Sequence, residues 1–182
     1  MAPHRVTRTY LRLDHPDALV AAAPPPWGAT LAPLHPCPVS RWRALYATIG
    51  GPWAWHDRDA WSDDQLAAHL ADPAVRVFTI ALPHAPADTP PDAGFLELQA
   101  HADGSVEIAY LGVHPALLGR ALGGWLVEAA VTTAWAQGAR HVWLHTCTLD
   151  APAALPNYLR RGFRVERSEE YDAPPRPEPP RP

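Results

Sequence analysis

At 182 residues, 47% hydrophobic and 19% charged, the chain has the composition of a globular protein large enough to bury a core, not of a disordered segment. A net charge of −4 and a pI near 6.2 offer no basic face to nucleic acid, and no stretch of about 18 apolar residues implies a membrane span. All fifteen basic residues are arginine, which excludes a Walker A loop and any Schiff-base or general-base lysine.

The first residues, MAPHRVTRTYLRLDHPD, contain no apolar core of signal-peptide length. Cys37 and Cys147 lie far apart with no CxxC partner. The expectation is a cytoplasmic protein with reduced thiols, with one long-range disulfide left open. A single domain is expected over residues 1–172, followed by a Pro-rich disordered tail at 173–182.

Along the chain, Arg5 to Leu13 alternates apolar and polar residues as a strand does. The next stretch, to Val39, carries seven prolines and reads as loop. A helix is predicted from Ser40 to Ile49, closed by Gly50 and Gly51. The segment GPWAWHDRDAW is an irregular aromatic connection, after which Ser62 and Gln65 form a capping box opening a second helix. A strand over 74–82 precedes a Pro-rich loop. The runs AGFLELQAH and VEIAYLGV, split by Asp-Gly, read as a hairpin. A helix then runs to about Gln137 and stops at Gly138. The strand HVWLHTC, a helix with Asp150 as N-cap, and a strand over 163–172 complete the pattern. One crossover helix between the strands at 106 and 141 makes those two parallel neighbours, so the sheet is mixed.

Gly119, Gly123 and Gly124 lie between an apolar strand and a helix, where backbone N–H groups can face an anion. In VEIAYLGV, strict alternation puts Glu107, Ala109, Leu111 and Val113 on one face and Val106, Ile108, Tyr110 and Gly112 on the other. His141, Trp143, His145 and Cys147 share a strand face, and the absence of a further ligand pair argues against zinc. Buried, hydrogen-bonded histidines and a core thiol are the expectation there. His114 belongs to a structural His-Pro turn. Trp42 and Tyr46, one helical turn apart, are expected to pack in a subcore. Trp53 and Trp55 lie in a loop with Asp57 and Asp59, where aromatic walls and either acid can hold a cationic amine.

The element order, the stretch VHPALLGRALGG and the later NYLRRGF resemble the GNAT superfamily of acyl-CoA-dependent N-acetyltransferases over roughly Ala93 to Arg167. The family loop usually reads Arg/Gln-x-x-Gly-x-Gly/Ala. Here Leu118, Gly119, Arg120, Ala121, Leu122 and Gly123 occupy those positions, so Leu118 replaces Arg or Gln and Ala121 replaces the central glycine. Alanine permits close approach if its backbone stays out of the left-handed region.

The resemblance implies a mixed α/β fold, with a central twisted sheet of about six to seven strands flanked by about four helices. It implies acetyl-CoA as co-substrate, with no metal. CoA would be held by Leu111, Val113, Leu118, Gly119, Arg120, Ala121, Leu122, Gly123 and Gly124. By the same resemblance, Glu107 would be the general base, directly or through water, and Tyr158 of Tyr-x-x-x-Gly-Phe would protonate the leaving thiolate. Backbone N–H groups near Leu111 to Val113 would meet the oxyanion. Trp53, Trp55 and Asp57 would line the acceptor side. The implied reaction is acetyl transfer by direct attack, from acetyl-CoA to a primary amine of a small metabolite. A peptide N-terminal acceptor and a non-catalytic acyl-CoA-binding module are the alternatives. No nucleic-acid or membrane partner is expected, and homodimerisation is left open.

Overall fold

The computed structural model describes residues 4–173 and contains one seven-stranded sheet of order β2-β3-β4-β5-β6-β1-β7. The strands are β1 (His4–Leu13), β2 (Thr30–Pro33), β3 (Val75–Ala81), β4 (Gly94–Ala100), β5 (Ser105–Val113), β6 (His141–Cys147) and β7 (Arg164–Ala173). The helices are α1 (Val39–Leu45), α2 (Asp63–Ala71), α3 (Leu122–Ala136) and α4 (Ala154–Arg160). The crossover through α3 makes β5 and β6 parallel, while every other pairing is antiparallel. The mixed α/β expectation is met.

Helices cover both faces of the sheet. Leu122, Leu126, Val127, Ala130 and Val131 of α3 pack on Val106 and Ile108 of β5 and on Val142 and Leu144 of β6. On the opposite face, Trp42 and Leu45 of α1 and Leu66 and Leu70 of α2 cover Val75, Val77, Phe95 and Tyr110. Trp42 and Tyr46 stack at 4.7 Å between ring centroids, as their spacing requires. The Ser62–Gln65 capping box forms, with Gln65 N–H donating to Ser62 Oγ at 3.2 Å.

Several expectations are corrected. Thr30–Pro33 lies inside the segment read as loop, yet pairs antiparallel with β3 at the sheet edge, where prolines do not break a ladder. The regular part of α1 ends at Leu45, and the chain continues to Gly50 as a wider π-type turn. α4 begins at Ala154, so Asp150 does not cap it. The alternation of β5 breaks at a bulge: Glu97 pairs with Tyr110 and Leu98 with Ile108, leaving Ala109 unmatched. Leu111 and Val113 therefore share the α3 face with Val106 and Ile108, while Tyr110 joins the opposite core. Of the predicted tail, Ala173 pairs with His4 in β1, and the remainder lies outside the described residues.

Candidate active site

The site is a gap in the sheet. β5 and β6 pair only from Ser105↔His141 to Glu107↔Trp143, and beyond that they separate. Each is held by its outer neighbour: β4 still pairs with β5 at Gly94↔Val113, and β1 with β6 at Arg8↔Cys147. The bulge at Ala109 bends β5 just where the strands part. A cavity of about 480 Å³ opens there, within the range of small-molecule sites.

The turn into α3 forms one wall. His114 Nδ1 accepts the Ala116 N–H at 3.1 Å and fixes the His-Pro turn. α3 starts at Leu122 with no side-chain cap, so the N–H groups of Leu122, Gly123 and Gly124 meet no protein acceptor among the described residues. A Cβ added at Gly123 would meet nothing closer than Asn157 Nδ2 at 3.8 Å, which leaves open space beside those donors. The same Asn157 nitrogen donates to Gly123 O at 3.1 Å and ties α4 to the turn. Leu111, Val113, Leu118, Gly119, Ala121 and Leu122 line the cavity with Gly123 and Gly124. Arg120 is exposed and does not line it. Ala121 adopts φ +61°, in the left-handed region, so the condition set for close approach by alanine is not met. That costs an alanine roughly 1 kcal/mol, and the flanking turns hold it there.

Tyr158 is buried on α4, lines the cavity and packs edge-on to Phe163 at 6.1 Å. Its hydroxyl has no hydrogen-bond partner among the described residues. Burial first, and Asp150 second, push its pKa far above the usual phenol range, so it stays protonated.

Trp53, Trp55 and Asp57 form the opposite wall. Trp55 serves two roles. Its ring packs on Tyr46 and Tyr110 at 5.8 and 5.1 Å, and its Nε1 donates to Asp150 Oδ1 at 3.4 Å. Gly112 is needed beneath it, because a Cβ there would run into Ile49 Cγ2 and come within 3.3 Å of the Trp55 ring. The loop is anchored through Arg58. Its guanidinium lies 4.2 Å above the Trp61 ring and 3.4 Å from buried Glu97, which also accepts from Trp42 Nε1 at 2.6 Å and faces His69 Nε2 at 2.9 Å.

Two expectations fail at this site. Glu107 does not line the cavity; its carboxylate faces His101 Nε2 at 3.1 Å, on the paired side of the splay. The strand 141–147 does not bury its histidines or its thiol fully: His145 and Cys147 are half-buried and line the cavity. Both cysteines are free thiols. Burial, then Asp150, raises the Cys147 pKa, which argues against a reactive thiolate. Arg8, Asp150 and Tyr171 also line the cavity and escaped sequence reasoning. Asp150 accepts from Thr146 Oγ1 at 2.6 Å and from Cys147 N–H at 2.9 Å, shaping the turn after β6. Among the described residues no group of three or more metal-ligating side chains occurs, and no helix is long and apolar enough to cross a membrane.

Comparison with known proteins agrees with this fold. The model of the acetyltransferase (GNAT) family matches residues 42–163. No curated protein matches the chain. A GCN5-related N-acetyltransferase from Sphaerobacter thermophilus superposes with a TM-score of 0.68 at 16% identity, covering 94% of this chain and 52% of its own. A second, from Kribbella flavida, gives 0.60 at 20% identity, covering 93% and 58%. An aminoglycoside acetyltransferase from an uncultured soil sample, solved with sisomicin, gives 0.56 at 14%, covering 73% and 87%. The chain thus spans little more than half the length of the first two.

Proposed function

The chain belongs to the GNAT acetyltransferase family, and from that premise we propose that it transfers an acetyl group from acetyl-CoA to the primary amine of a small metabolite, by direct attack. The observation that carries this reading is the cavity between β5 and β6, with unpartnered helix N–H groups on one wall and an aromatic, acidic wall opposite. Acetyl-CoA supplies the acyl group as an activated thioester.

The protein's own groups divide the work. The N–H groups of Leu122, Gly123 and Gly124, at the positive end of α3, receive the pyrophosphate. Backbone N–H groups of β5 near Leu111 to Val113 stabilise the charge that develops on the carbonyl oxygen. Tyr158, kept protonated by burial, gives its proton to the departing thiolate. Trp53 and Trp55 face the acceptor's cation while Asp57 offers it a counter-charge. One structural neighbour, the soil aminoglycoside acetyltransferase solved with sisomicin, accords with a small-molecule acceptor. The aromatic loop on one side and Arg8 with Tyr171 on the other favour an enclosed acceptor over a peptide in an open groove. Free thiol released from acetyl-CoA, compared between small amines and peptide N-termini, tests this reading against both alternatives.

The two tryptophans are expected to separate on truncation. Trp53→Ala should raise the acceptor KM several-fold, consistent with about 0.5–2 kcal/mol for a lost cation–aromatic contact, and leave the melting temperature near wild type. Trp55→Ala should do the same and also cost about 3 kcal/mol of stability, because its ring fills the subcore. Melting curves and acceptor kinetics on the pair check this, and neither change should move the KM for acetyl-CoA.

A further inference from the structure

The acceptor arrives as an ammonium and must lose a proton before its nitrogen can attack, and Glu107 lies outside the cavity. We propose that the His145 imidazole, on the β6 wall of the cavity, takes that proton; this rests on the acyltransferase reading above.

Two carboxylates and one imidazole line the cavity, and both carboxylates are engaged. Asp150 accepts from Thr146 Oγ1, Cys147 N–H and Trp55 Nε1, so its carboxylate is committed to the turn after β6. Asp57 is exposed at the loop and accepts the Tyr110 hydroxyl at 3.3 Å. His145 stands two residues past the last β5–β6 pair, where the splay begins, and lines the cavity. Tyr10 packs against it at 5.7 Å between ring centroids, and neither ring nitrogen has a hydrogen-bond partner among the described residues.

The surrounding charges favour a neutral ring. Arg8 and Tyr10 approach it from β1, Glu107 from β5, Asp57 from the aromatic loop and Asp150 from the turn after β6. Burial foremost, and Arg8 next, hold its pKa below the ordinary histidine value, while the three carboxylates pull the other way. A neutral imidazole has a free lone pair, as a base requires.

Protons balance as follows. His145 takes one proton from the ammonium, and the N–C bond then forms as the C–S bond breaks. Tyr158 gives its proton to the thiolate and regains one from the nitrogen. His145 returns its proton to solvent. The products are the amide, free CoA thiol and one released proton.

The test is the pH dependence of kcat/KM with a small primary amine from about pH 5 to about pH 9. Wild type should show an acid limb whose midpoint lies below the ordinary histidine value, activity being lost as the imidazole protonates. His145→Gln should flatten that limb and lower kcat by about 10²-fold at neutral pH, with CoA affinity unchanged as proof of folding. Added imidazole should restore turnover to His145→Ala, which a merely structural role would not allow. An unchanged limb in His145→Gln, no rescue by imidazole, or loss of the limb in Glu107→Gln or Asp57→Asn instead would overturn the assignment. Those failures leave turnover by the wild-type protein in place. Absence of amine-dependent turnover in the wild type overturns the acyltransferase reading itself.

Discussion

Gly123→Val is expected to remove CoA binding while leaving the protein folded. Gly123 is the second residue of α3, and a Cβ there meets only Asn157 Nδ2 at ordinary contact distance, so a side chain can begin there without a clash. Its branched methyls would occupy the space beside the free N–H groups of Leu122 and Gly124, which the pyrophosphate must approach. Losing two charge-assisted hydrogen bonds costs about 3–6 kcal/mol, or on the order of 10²- to 10⁴-fold in Kd. Calorimetric titration with CoA measures this directly. Wild-type affinity in a folded Gly123→Val protein would refute the phosphate-binding role of the turn.

Tyr158→Phe should lower kcat and kcat/KM together, by about 10²-fold, with CoA affinity within about twofold of wild type. The phenylalanine ring keeps the edge-on contact to Phe163, and no protein hydrogen bond is lost with the hydroxyl. Stability should therefore hold or rise slightly. Only removal of a proton donor for the thiolate predicts a slow but well-folded enzyme. A kcat within about threefold of wild type would reduce Tyr158 to a packing residue.

The α3 turn, the crossover and the aromatic loop were legible because each depends on nearby residues. Glycines at a strand-to-helix junction, a hairpin turn and a capping box are local signals. The acid in β5 was misplaced for a reason that is not local. Strict alternation would carry Glu107 onto the face of Leu111 and Val113, but the bulge at Ala109 shifts the phase between them. No residue in VEIAYLGV marks that bulge. β2 was hidden by the prolines around it, since only its pairing with β3 defines it as a strand.

Arg8 and His145 were illegible for a topological reason. β1 enters the sheet between β6 and β7, so the amino terminus contributes a wall of the cavity more than a hundred residues away in sequence. The alternation of HVWLHTC placed His145 with Trp143 and Cys147, but not at the splay. Ala121 shows the opposite limit. Its identity was read, but its left-handed backbone is imposed by the turn against the preference of alanine.

The most direct measurement of the central claim is release of free CoA thiol from acetyl-CoA by the purified wild-type protein, with and without a panel of small primary amines. Thiol release is expected to depend on the amine, to saturate in it, and to be accompanied by one acetylated amine for each thiol. CoA binding without any amine-dependent thiol release, from small amines or peptides, would contradict it and leave an acyl-CoA-binding module.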